Sequence, residues 1–181
     1  MPISDPLVMP LAREMLACLR AAMLDNPDPP GRVGLRPGTV VDHLMSSLGD
    51  DECCEGLAWV RPGDFYPSSG TFPVQDEQPN KQGTLAWAVT LELGAIRCAP
   101  TPNAEAIPSE EEWEATTERV MDDMAAIRRA ICCFIEAKPG RLQRVLPGVW
   151  TPLAVQGGCV GGILPVTIRG PHCDCAEPVS S

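Results

Sequence analysis

Large aromatic side chains are scarce in this 181-residue chain: Phe, Trp and Tyr make up 4% of it, with three Phe and a single Tyr. That leaves few of the anchors from which compact ligand pockets are built. Histidine is limited to His43 and His172. Basic charge is short too, with 14 Lys and Arg against 24 Asp and Glu and a net charge of −10. Gripping a nucleic-acid backbone draws on clustered Lys and Arg, so this balance argues against it. It leaves open a protein that surrounds DNA without holding it, because an acidic wall repels phosphate. No run approaches the roughly 18 apolar residues of a membrane span, and Met1 to Pro6 lacks the basic segment of a secretory signal. A cytoplasmic protein with no membrane partner is expected. P-loop, G-x-G-x-x-G, H-E-x-x-H and G-x-S-x-G patterns are all missing, so no catalytic residues and no cofactor are predicted.

What the chain does have is apolar content, 44%, together with 20 prolines and 16 glycines. One domain over residues 1–170 with extended loops follows, and 171–181 reads as a flexible tail. Val8, Leu11, Met15, Leu19 and Ala22 recur at helical spacing, which predicts a first helix from about Asp5 to Met23, stopped at Asn26-Pro-Asp-Pro-Pro. Val33 and Leu35 suit a short strand; Thr39 to Met45 fits strand or helix. Gly56 to Arg61 reads as a strand closed by Pro62-Gly63. A proline- and glycine-rich loop, 63–83, then projects like an arm between two strands. Thr84 to Leu93 alternates with period two: Leu85, Trp87, Val89, Leu91 and Leu93 are expected inside, Ala86, Ala88, Thr90, Glu92 and Gly94 toward a second, covered surface. Ser109-Glu-Glu-Glu112 is a capping box. It opens a long helix, about Glu110 to Ala137, with Trp113, Val120, Met124, Ile127, Ile131 and Phe134 as its buried stripe.

Gly148 to Ile168 reads as two apolar strands folded around a Gln156-Gly157-Gly158 turn, without an acid, base or nucleophile inside it. The element order predicts an α+β fold, an antiparallel or mixed sheet packed against two helices with a long projecting hairpin loop.

Nine cysteines include the pairs Cys53-Cys54 and Cys132-Cys133 and the cluster His172-Cys-Asp-Cys175. No C-x-x-C pair is present, so structural zinc has little support. His172, Cys173 and Cys175, completed by Cys159 or the Cys53-Cys54 pair, form the one ligand-like set. Cys18, Cys98, Cys132 and Cys133 are expected as small buried hydrophobes. His43 beside Asp42 suits a turn, since adjacent side chains seldom face one another. Asp122-Asp123 lies on a helix where neighbours diverge by about 100°.

Cys53 to Val60, Phe65-Tyr-Pro67, Phe72-Pro73, Leu91 to Pro100, Met124 to Cys133 and Gly157 to Gly162, in this order and spacing, resemble the tail terminator and related head-to-tail connector proteins of long-tailed actinobacterial phages. The resemblance covers about residues 30 to 169. It departs at Val41-Asp42, where members carry Trp-Asp, and in the basic stretch Arg141 to Arg144 and the cysteine-bearing tail. It implies a structural virion protein at the head–tail interface, assembled in the host cytoplasm. A ring of six copies would cap the tail tube, meet the tube protein and a head-side connector, and leave a channel through which DNA passes. Interface residues expected on this basis are Phe65, Tyr66 and Phe72 in the projecting loop, with the final hairpin extending a neighbour's sheet. A stopper or adaptor layer of the same connector, or a small zinc- or thiol-dependent binding module, are the alternatives.

Overall fold

The computed structural model describes residues 5–38, 55–70, 72–77, 86–100, 102, 107–156 and 158–172. Helix α1 spans Val8–Leu24. It begins later than the periodicity suggests: Asp5 stays outside the helix, its carboxylate accepting from the Leu7 and Met9 amides. Pro10 falls in the first turn, where no backbone donor is needed. Helix α2, Glu110–Glu136, opens on the expected capping box: the Ser109 side chain accepts from the Glu112 amide, and Glu112 accepts from the Ser109 amide. Three glutamates in that first turn complement the helix dipole.

Six strands form one sheet: β1 (Arg32–Leu35), β2 (Leu57–Pro67), β3 (Ala86–Cys98), β4 (Val145–Pro147), β5 (Thr151–Gln156) and β6 (Cys159–His172). The order is β1-β2-β3-β6-β4, with β5 also paired to β6. β1 runs parallel to β2 and every other pairing is antiparallel, so the sheet is mixed. Both helices lie on one face. Met15, Leu19 and Met23 of α1 and Ile127, Ile131 and Phe134 of α2 meet Val60, Val89, Leu91, Leu93, Leu164 and Val166 in the main core. Among the described residues two helices pack against a mixed sheet, so the α+β architecture is the observed fold. On the opposite face a smaller cluster gathers Leu57, Trp59, Ile96 and Cys159.

Several local expectations are corrected. β2 does not stop at Pro62-Gly63 but continues to Pro67, its register shifting between Pro62 and Phe65. β1 ends beside Val60, so beyond that point β2 has no described neighbour on one side, and Pro62 lacks a donor where no ladder bond calls for one. The loop after β2 thus starts at Ser68 rather than at 63. β3 runs past Leu93 to Cys98, and β6 continues through Pro171 and His172, residues expected in the tail. Trp87 is half-buried, whereas Ala86 and Ala88 are fully buried. Trp113 and Met124 are half-buried as well, and Asp123 holds a buried place on α2. A short 3-10 turn, Arg141–Arg144, and β4 follow α2 where no element was expected. Thr39 to Met45, Leu85 and the Asp42–His43 pair lie outside the described residues.

Candidate assembly surface

β4 and β5 pair with successive stretches of one side of β6, Val145–Pro147 against Val166–Ile168 and Thr151–Gln156 against Cys159–Ile163. Their outer side has no partner strand among the described residues. The link between them is pinned at both ends. The Gly148 amide donates to the Pro165 carbonyl at 2.8 Å, and Trp150 packs so closely on Gly162 that a Cβ there would lie 2.1 Å from the indole. Val149, held between these two, is 78% exposed. Leu146 and Val155 are also exposed. An open strand edge carrying exposed apolar side chains is a template for another chain.

The other sheet edge is treated differently. The Arg32 and Arg36 amides donate to the carbonyls of Gly56, just before β2, and of Val60 in β2, so by strand alternation Val33 and Leu35 turn their backbone groups outward. Arg20 Nε and Nη2 both donate to the Val33 carbonyl at 3.3 Å, and Arg36 Nη1 donates to the Leu35 carbonyl at 2.9 Å. Both outward carbonyls are capped by guanidinium groups, a device that closes an edge to strand addition.

The three loop residues expected at an interface do not act alike. Phe65 lies in β2 and stacks on Trp87, ring centroids 4.4 Å apart, with about half its surface exposed. Tyr66 is half-buried, and its hydroxyl donates to the Pro73 carbonyl at 2.9 Å. Phe72 is half-buried beside that contact. The base of the loop folds back on the strand ends: Ser68 Oγ donates to Val74, the Asp76 amide to Pro67, and Asp76 accepts from the Ser69 amide. The Ser69 side chain, and then its amide, hold the Asp76 carboxyl below its usual range.

The ligand-like set is not brought together among the described residues. Cys159 is buried in β6 opposite Cys98, and neither is a free thiol. His172 ends β6 opposite Ala86; Cys173, Cys175, Cys53 and Cys54 lie outside the described residues. Cys18 and Cys133 are not simple core hydrophobes but form a disulfide between α1 and α2, their Cα atoms 5.8 Å apart, because the antiparallel packing of the helices sets them face to face. Cys132, one step round α2, is exposed.

A polar cluster in the core went unread in the sequence. Arg97 donates from Nε and Nη2 to both Asp123 oxygens at 2.6 and 2.7 Å and from Nη2 to the Asp28 carbonyl. Asn26 Nδ2 donates to Asp123, and Arg129 donates to Asn26 Oδ1. Burial pushes the Asp123 carboxyl up, against the pull of Arg97 and Asn26. These groups join β3, α2 and the end of α1, and each polar partner is satisfied from within. A second ion pair, Arg61 with Glu92, sits cross-strand at 2.5 and 2.6 Å on the opposite face. Both are structural ties.

No family model matches the chain, and no curated protein does. Among solved structures, a cryo-EM chain described as the sheath/tube terminator, in the extended state, of PVC, an extracellular contractile injection system, is similar at a TM-score of 0.42 and 12% identity. The match covers 99% of this chain and 62% of that one, so this chain spans less than two thirds of the terminator's length.

Proposed function

We propose that this chain is a structural virion subunit, a phage tail terminator that closes into a ring, six copies round, on the end of the tail tube. The single observation that supports this most is the β4–β5 edge, which has no partner strand among the described residues and is anchored by Gly148 and Trp150 while Leu146, Val149 and Val155 are exposed. An edge of this kind suits a protein that works by joining other chains. The sequence resemblance supplies which assembly that is: a ring joined on one side to the tube protein and on the other to a head-side connector, with a channel for DNA. A net charge of −10 suits a conduit that must not hold its cargo.

The test is tube termination. The major tail tube protein of the same phage is polymerised alone and with this chain added. Tubes that stay short and carry this chain at one end support the proposal. Tubes that grow to the same lengths with and without it contradict it.

A further inference from the structure

The two helices carry opposite charge on the flanks they turn away from each other. In α1, Glu14, Cys18 and Ala22 face α2, through the Lys138 and Arg141 ion pairs, the disulfide and the Arg129 bond to the Ala22 carbonyl. At 100° per residue, Arg13, Ala17, Arg20 and Leu24 therefore fall on the far flank, and all four are exposed. Leu24 is 77% exposed and borders a cleft shared with Met23, Pro29 and Val33. The flank bears two arginines and no acid, in a chain whose net charge is −10.

The outward side of α2 has the reverse character in its first four turns. Glu110, Glu114 and Glu118 are exposed there with Met121, which is 40% exposed. Arg128, two turns further on, marks where the acidic half ends.

We infer that, within the ring proposed above, the Arg13–Leu24 flank of α1 receives the Glu114–Met121 flank of α2 from a second copy of this chain. The inference rests on the ring reading and adds to it the contact surface. Three observations select the occupant. The charges are complementary between two different surfaces of one chain, which is what a head-to-tail contact needs and a two-fold contact does not supply. An exposed methionine on one flank matches an apolar cleft beside Leu24 on the other. The adjacent β1 carbonyls are capped by Arg20 and Arg36, so whatever docks on this flank docks through side chains rather than as an added strand.

The experiment compares multimer formation by native mass spectrometry in four proteins: wild type, Arg13→Glu with Arg20→Glu, Glu114→Lys with Glu118→Lys, and all four changes together, which restores the net charge. Like charges set face to face disfavour a contact strongly, so each double variant loses multimer at least about tenfold, and the fourfold variant regains it. Arg13→Glu alone, which keeps the Arg20 bond to Val33, shifts the same way. Arg13→Glu alone and Glu114→Lys with Glu118→Lys melt close to wild type, since these positions are exposed, whereas the variants with Arg20→Glu also give up the bonds to the Val33 carbonyl. Double variants that assemble like wild type, or a fourfold variant that stays dissociated, overturn this surface and leave the ring standing. A wild type that never multimerises, with or without tube protein, overturns the ring and this surface together.

Discussion

Arg97 and Asp123 form a two-pronged ion pair, 2.6 and 2.7 Å, with both side chains almost wholly removed from solvent. β3 and α2 are locked together at that point, and Asn26 and Arg129 extend the lock to α1. Removing one partner of such a pair leaves an unpaired charge in the core, typically costing about 3–5 kcal/mol. Arg97→Met is therefore expected to lower unfolding free energy by about that much in urea titration. Arg97→Met with Asp123→Leu is expected to cost less than Arg97→Met alone, because the orphaned carboxylate is gone. A single variant that matches the double would show that the pair is not coupled.

Trp59 and Trp150 each pack where a strand has no side chain. A Cβ on Gly94 would lie 2.2 Å from the Trp59 indole, and one on Gly162 2.1 Å from that of Trp150. Overpacking of this sort costs about 1–3 kcal/mol or more. Gly94→Ala and Gly162→Ala are each expected to lower thermal stability and to alter tryptophan emission, since the ring must shift to make room. Unchanged melting and emission would mean the strands separate freely there.

Glu14 is held by Lys138 and Arg141 at the far end of the helix pair. The bond from Lys138, and then that from Arg141, keep its carboxyl below the ordinary value of 4.5 despite some burial. A carboxyl lowered in the folded state stabilises above its unfolded value and loses that contribution as pH falls through the folded one. Glu14 and Lys138 are more than a third exposed, so solvent screening holds the gain to about 1 kcal/mol or less. Glu14→Gln is expected to melt slightly below wild type at pH 7, with the gap closing as pH drops below 4.5. A gap that widens in acid would reverse the sign of the argument.

The α1–α2 disulfide separates the cysteines of the helices by reactivity. Under non-reducing conditions a maleimide is expected to label Cys132 and to spare Cys18 and Cys133, which become reactive after reduction. Label on Cys18 before reduction would contradict the bridge.

Much of this architecture was legible in residue pattern. The capping box set the start of α2 to the residue, and Val120, Ile127, Ile131 and Phe134 of its predicted stripe are buried, about half of the helix's buried face. The Gln156-Gly157-Gly158 turn between apolar runs gave the β5–β6 hairpin, and Val33 with Leu35 gave β1. What failed has local causes. Position 123 lies three residues beyond Val120 on the buried stripe, but an aspartate is read as exposed until its partner, 26 residues upstream, is known. Pro62-Gly63 is a turn signal that the fold absorbs as a bulge, so Phe65 and Tyr66 became strand residues rather than arm. Cys18 and Cys133 are separated by 115 residues, and no local pattern could pair them. β5 was legible as one arm of the hairpin, but β4, which lengthens the open edge, was not, nor was the capped β1 edge, because Arg20 reaches it from another element.

The most direct test of the account is native mass spectrometry of the purified chain, alone and with the tail tube protein. The account predicts a closed multimer of one defined size, either spontaneously or once tube is added. A chain that remains monomeric in both conditions would contradict it.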